Sequence, residues 1–224
     1  MLAPLTSAGV LDGCEVEEFA DHRGVAGSGG LRSAVDGFVV PWAWLDSADS
    51  WTLRQFHDFG VVRPGWVDFW RAISNILSPT SLRILALVGA VVALVRHRAR
   101  VAVFLLTTVM GMGLVTEIGK TLSDRPRPDT ALTQAASTAF PSGHALGMTV
   151  GVLAFLTVLW PSLTLVGRRV AVGVGVGLIL TVSLARVILN VHHPSDVVAG
   201  WALGLLYYLL YLRLVSAWRP RRRG

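Results

Sequence analysis

The chain has 224 residues, of which 53% are hydrophobic and 15% charged, with a mean hydropathy of +0.57. That composition excludes an ordinary soluble domain and points to one integral membrane domain. The formal charge of +6 does not indicate nucleic acid as a partner, because the arginines fall in short clusters between apolar runs and at the C-terminus, not along a basic stripe interleaved with aromatics.

Residues 1–36 read as a flexible N-terminal segment with VAGSGG as a linker, and 37–224 as the membrane-embedded domain. Cys14 is the sole cysteine, so neither an internal disulfide nor a cysteine-based metal cluster is available. The LDGC around it lacks the basic and apolar regions of a signal sequence, so Cys14 reads as a surface residue. From 65 to 77, Trp66, Phe69, Trp70, Ile73, Ile76 and Leu77 follow i, i+3, i+4 spacing, which predicts an amphipathic helix. Five of the eight tryptophans lie between 42 and 70, which places this region along the membrane surface.

Five apolar stretches then have about the length needed to cross a ~30 Å hydrocarbon layer as helices. They are 79–95, 101–119, 144–161, 168–189 and 197–217. The expected fold is therefore an all-α membrane bundle of about five transmembrane helices plus an interfacial amphipathic helix. GxxxG spacing at Gly147/Gly151, Gly173/Gly177 and Gly200/Gly204 predicts close helix packing in the bundle. Arg96, Arg98 and Arg100, then Arg168 and Arg169, then Arg219 and Arg221 to Arg223, fall on one side, which the positive-inside rule makes cytoplasmic. The loop 120–143 and the turn 190–196 lie together on the other side. An odd number of spans also puts the N-terminal third outside, although residues 1–36 contain no recognisable export signal.

The chemistry-bearing residues gather in those two outer segments and at the span ends beside them. Lys120 is followed by Arg127-Pro128, then by PSGH at 141–144, then by Arg186, His192 and Asp196 in ARVILNVHHPSD. Three cations, two histidines and a carboxylate with no metal-ligand spacing describe a site for an oxyanion.

These three segments resemble the tripartite signature of the type 2 phosphatidic acid phosphatase (PAP2) family, which shares its phosphate site with vanadium haloperoxidases: K-x6-RP, PSGH and SR-x5-H-x3-D. The resemblance covers roughly 60–217. Ala185 stands where the third motif usually has serine, and the first of the family's usual six spans is absent from the pattern. The resemblance implies a membrane phosphatase domain over 37–224, acting on a lipid phosphate with no cofactor and no metal.

Residue by residue, His192 is the candidate nucleophile, with Asp196 one helical turn later accepting a hydrogen bond from its other ring nitrogen. His144, where PSG turns into a span, is the candidate general acid. The backbone N–H groups of Ser142 and Gly143 at that helix start are expected to hold phosphate oxygens. Lys120, Arg127 and Arg186 would neutralise the transferring phosphoryl group. His22, His57, His97 and His193 read as interfacial residues, Arg125 as either a loop residue or a support, and Glu117 as a possible counter-ion of Lys120.

The reading is a multi-pass cell-membrane phosphatase hydrolysing a lipid phosphomonoester or pyrophosphate through a phosphohistidine at the extracytoplasmic face. The span-end positions of Lys120, His144 and Arg186 put the phosphate at headgroup level. A phosphatase of a soluble ester, a vanadate-dependent haloperoxidase-like enzyme and a lipid-phosphate transporter are the alternatives.

Lys120 is the only lysine among 20 Lys plus Arg. At a crowded phosphate a slim ammonium and a wide guanidinium fork are not equivalent. Lys120→Arg is expected to lose much of its turnover while keeping the wild-type thermal melt, as a phosphate-release assay and a melting curve on the same preparation will establish.

Overall fold

The structure, a computed structural model, describes residues 43–135 and 137–217; the expected flexible segment 1–36 lies outside the described residues. Among the described residues seven α-helices follow one another: α1 (Ala43–Val61), α2 (Pro64–Ile76), α3 (Pro79–Val95), α4 (Ala99–Ser123), α5 (Gly143–Leu159), α6 (Leu165–Ile188) and α7 (Pro194–Ala217). A 3-10 turn, Trp160–Ser162, follows α5, and no strand occurs among the described residues. Among the described residues five helical stretches are long and apolar enough to cross a membrane: Pro64–Val95, Ala99–Ser123, Gly143–Ser162, Leu165–Ile188 and Pro194–Val215. The chain is thus a helical membrane bundle, and each expected span coincides with one of its helices.

Local chemistry sets the helix ends. Ser78 caps α3 by accepting the Ser81 N–H at 3.2 Å, with Pro79 at the first helical position, so the first long apolar stretch breaks into α2 and α3. Thr164 caps α6 in the same way, accepting from Gly167 at 3.2 Å. Because α6 starts at Leu165, Arg168 and Arg169 lie in its first turn and not in a loop before it. Arg168 donates to the Trp160 carbonyl at 3.2 Å. α4 runs past its expected end at 119 to Ser123, where Asp124 takes a left-handed φ of 44° and stops it.

The helix at the centre of the bundle is α5. Ala145, Leu146, Val150 and Ala154 are fully buried, and Leu146, Val150 and Ala154 pack with Leu105, Val109 and Met112 of α4. On its other side α7 comes close enough to touch backbone. A Cβ at Gly200 would meet the Ser142 carbonyl oxygen at 2.8 Å, and one at Gly204 would meet that of Leu146 at 2.9 Å. These glycines pack as expected. Gly173 and Gly177 do not: no atom lies within 4 Å of a Cβ at either, so their GxxxG spacing joins no helix pair among the described residues. The outer faces carry exposed apolar side chains, including Leu85, Val88, Leu205 and Leu209, as lipid contact requires.

The two N-terminal helices cover one end of this bundle. Leu53 of α1 is buried and packs with Phe56 against Ala145, Val187, Val197 and Trp201, where α5, α6 and α7 begin or end. α2 turns Val67 and Trp70 toward Leu189 and Val191 and leaves Phe69 and Ile76 exposed, so the amphipathic pattern of 65–77 is divided between protein and surroundings.

Gly204→Val is expected to lower the melting temperature in detergent, since over-packing costs about 1–3 kcal/mol. Gly177→Val, facing open space, is expected to leave it unchanged. A paired thermal-shift measurement distinguishes the two sites.

Candidate active site

Four helix ends meet under the α1–α2 cover: the C-termini of α4 and α6 and the N-termini of α5 and α7. Each motif residue occupies one of these ends or the loop beside it. Lys120 lies in the last turn of α4, His144 in the first turn of α5, Arg186 in the last turn of α6, His192 in the α6–α7 turn and Asp196 in the first turn of α7. Arg127 reaches in from the α4–α5 loop.

That loop is held by several side chains. Thr130 donates to the Asn190 side-chain oxygen at 2.9 Å, and the Leu132 N–H donates to the Leu189 carbonyl at 3.0 Å. His57 of α1 meets the Thr130 carbonyl at 3.0 Å, so it joins α1 to the loop and is not simply an interfacial residue. Arg127 donates from Nε to the Ser137 carbonyl and from Nη1 to the Val191 carbonyl, tying the loop to the α6–α7 turn. Ser137 also accepts from the Lys120 ammonium. Glu117 makes no direct ion pair with Lys120 among the described residues; a hydroxyl holds the ammonium, and Glu117 acts on it as a nearby negative charge.

His192 is 2% exposed, and its Nδ1 lies 2.6 Å from the Ala139 carbonyl oxygen. A carbonyl only accepts, so Nδ1 carries the proton and Nε2 keeps its lone pair. Nε2 faces Arg127 Nη1 at 3.4 Å. Burial, with Arg186 and Arg127 nearby, lowers the His192 pKa to about 4, although the Asp196 carboxylate acts in the opposite sense. The ring is therefore neutral near pH 7. Burial also lowers the pKa of Arg127, against the raising influence of Asp196.

The partner of His192 differs from the sequence expectation. Asp196 Oδ2 is 3.8 Å from His192 Nδ1, beyond hydrogen-bond reach. It accepts the His193 backbone N–H at 2.8 Å and the His193 ring at 3.1 Å, while Oδ1 accepts Arg125 Nη1 at 2.7 Å. Asp196 thus caps its own helix and anchors Arg125, and the Ala139 carbonyl does the orienting assigned to it. His193 and Arg125, left as interfacial or ambiguous by the sequence, both belong to this network.

A second correction concerns Ser142. Its N–H donates to the Asp196 carbonyl at 3.0 Å and is not open to a ligand. Its fully buried Oγ has no partner, and neither does Arg186 Nε. The Gly143 N–H, at the first position of α5, has no acceptor within the helix.

Two supporting residues lie before the first motif and carry no motif signal. Asp49 of α1, 1% exposed, accepts the Ser195 N–H at 3.0 Å, the Ser195 hydroxyl, and Arg125 Nη2 at 3.2 Å. Asp49, Leu53, Phe56 and Gly60 form one inward stripe at i, i+4, i+7, i+11, and a carboxylate on such a stripe was the signal available. Ser74 of α2, also buried, accepts Arg186 Nη1 at 2.9 Å, and its backbone lies against the His144 ring.

The family model for the PAP2 superfamily matches residues 101–220, which is 120 of 224 residues and includes all three motifs. The decaprenylphosphoryl-5-phosphoribose phosphatase of Mycobacterium tuberculosis is 33% identical over 150 residues, 64% of this chain and 77% of that one. Phosphatidylglycerophosphatase B of Bacillus subtilis is 38% identical over 101 residues, 43% of this chain and about half, 49%, of the relative. The crystal structure of a transmembrane PAP2-type phosphatidylglycerolphosphate phosphatase from Bacillus subtilis superposes with a TM-score of 0.68 at 24% identity, covering 86% of this chain and 96% of that one. With the motifs gathered at one end of a bundle of the same fold, and the family match spanning more than half of the sequence, this chain belongs to the PAP2 superfamily.

Proposed function

We propose that the protein is a membrane phosphatase that hydrolyses a lipid phosphomonoester or pyrophosphate at the extracytoplasmic face, through a phosphohistidine on His192 and without a metal. The observation that carries the reading is the tautomer of His192: with Nδ1 donating to Ala139, a neutral Nε2 faces the cationic end of Arg127. A neutral ring nitrogen beside a cation cluster is placed to attack the phosphorus of an anion that those cations hold. The names of the relatives, phosphatases of a decaprenylphosphoryl phosphoribose and of phosphatidylglycerophosphate, support a lipid phosphate as the substrate.

Lys120, Arg127 and Arg186 take the phosphoryl oxygens, helped by the Gly143 N–H and the two orphaned groups, Ser142 Oγ and Arg186 Nε. His192 Nε2 attacks phosphorus as the bond to the leaving oxygen breaks, and His144, held as imidazolium by the bound anion, gives that oxygen its proton and becomes neutral. Water then attacks the phosphohistidine while His144 takes a proton from it, which releases phosphate and restores both rings. The arginines at the end of the bundle away from the site, Arg96 to Arg100 and Arg168 to Arg169, support the extracytoplasmic reading through the positive-inside rule.

Acid-free quenching of turnover with labelled substrate is expected to place the label on the His192 peptide, and label on serine or aspartate would overturn the covalent step. His192→Ala should abolish turnover for every ester. His144→Ala should cost roughly 10²–10⁴-fold, most for poor leaving groups.

Asp49 acts at a distance, by holding Ser195 and Arg125 and through them Asp196. Asp49→Asn is expected to reduce kcat roughly ten- to a hundredfold with little change in KM, because the reacting groups are misplaced and not removed. A matching rise in KM with unchanged kcat would contradict this.

With Cys14 replaced by serine, Gln134→Cys should react with a membrane-impermeant thiol reagent in intact cells. Labelling only after lysis would invert the orientation.

A further inference from the structure

Ser137 lies in the α4–α5 loop, before PSGH and outside all three motifs. Its neighbours are the two cations of the first motif. The Ser137 hydroxyl accepts from the Lys120 ammonium and lies 3.5 Å from Arg127 Nη2, while the Ser137 carbonyl accepts from Arg127 Nε. One residue therefore grips both the side of the guanidinium and the ammonium. The Val191 carbonyl takes Arg127 Nη1, which also faces His192 Nε2.

The chemistry of these partners limits what the hydroxyl proton can do. Ammonium and guanidinium groups only donate, so neither accepts a hydrogen bond from Ser137. With its lone pairs turned toward the two cations, the oxygen has one group left, its O–H, and that donor meets no acceptor among the described residues.

If the only task at this position were to hold two like charges, a carbonyl would serve, and the loop already places one there, that of Ser137 itself on Arg127 Nε. A hydroxyl differs from a carbonyl by one donor. Donation to it from cationic groups polarises the O–H and strengthens it as a donor in turn. Ser137 is exposed, so its side chain does not serve to fill the core.

An anion drawn to Lys120 and Arg127 comes to rest against the oxygen they share, and it brings the acceptor that the O–H lacks. We propose that Ser137 is a further side-chain ligand of the phosphoryl group: its hydroxyl accepts from Lys120 and donates to a phosphoryl oxygen. Being neutral, Ser137 supplies this donor without adding to the positive charge of the site. In the empty site the same hydroxyl stands between the two cations. The inference rests on the phosphatase reading above.

The test uses full-length wild type, Ser137→Thr, Ser137→Val and Ser137→Ala in detergent micelles, with a melting curve for each. Threonine and valine are similar in shape and differ in the hydroxyl. The dissociation constant of orthovanadate, a phosphate mimic, is measured by titration calorimetry, and kcat/KM by phosphate release from phosphatidic acid and phosphatidylglycerol phosphate. Ser137→Val and Ser137→Ala should raise the vanadate Kd and lower kcat/KM roughly ten- to a hundredfold, the worth of a hydrogen bond to a charged group. Ser137→Thr, which keeps the hydroxyl, should restore most of both. A crystal structure of the wild-type vanadate complex should place a vanadate oxygen within about 3.0 Å of Ser137 Oγ. Wild-type vanadate affinity in Ser137→Val, a threonine variant as weak as the valine one, or a vanadate out of hydrogen-bond reach of Oγ overturns the assignment, and phosphate release by the wild type then leaves the phosphatase reading standing. A wild type that neither binds vanadate nor releases phosphate from either lipid removes that reading, and the role of Ser137 with it.

Discussion

The arrangement of the site depends on one buried carboxylate, that of Asp196. Its two oxygens and its carbonyl hold three separate pieces of chain: Oδ1 takes Arg125 from the α4–α5 loop, Oδ2 takes the His193 N–H and ring, and the carbonyl takes the Ser142 N–H that opens α5. A carboxylate removed from water is tolerated when all its lone pairs are met, and losing one partner of such a pair costs about 3–5 kcal/mol. Because the partners of Asp196 come from different segments, that constraint aligns the loop, the turn and two helix starts at once. Asp49 extends the same network into α1 through Arg125 and Ser195.

Around this anchor the site concentrates positive charge. Lys120, Arg127 and Arg186 stand near two histidines, Glu117 lies one turn before Lys120, and the Asp196 carboxylate is engaged with Arg125 and His193. Such a cluster is strained electrostatically until an anion enters, and its dipoles need little reorganisation when one does. The orphaned Ser142 Oγ and Arg186 Nε belong to the same logic, since buried donors without partners are rare unless a ligand completes them. Position completes the argument: the cluster sits where helices end, so a phosphate can bind in it while an attached lipid remains among the apolar outer faces.

The sequence analysis found the bundle because span length, apolar composition and arginine placement are properties of single segments. It found Lys120, Arg127, His144, Arg186, His192 and Asp196 because their spacings are local and their residue types unusual at span ends. It misassigned the contacts of Asp196 and Ser142, since i, i+4 spacing shows what is near on a helix but not which of two adjacent imidazoles turns toward the carboxylate. Glycine spacing misled for a related reason: Gly173 and Gly177 look like Gly200 and Gly204 in sequence, and only the position of a neighbouring helix separates them.

The sequence by itself determined that this chain is a helical membrane protein with cations and histidines gathered at one end of its spans, because hydrophobicity over twenty residues and the presence of cations at span ends do not depend on how the helices pack. Only the tertiary structure decided which hydrogen bond orients His192, that Asp49 and Ser74 reach the site from helices before the first motif, and that a cavity adjoins Arg186. These are contacts between residues up to 146 positions apart, such as Asp49 with Ser195, and no local pattern encodes them. They follow from the requirement that each buried polar group be met by whatever the packed helices bring within reach.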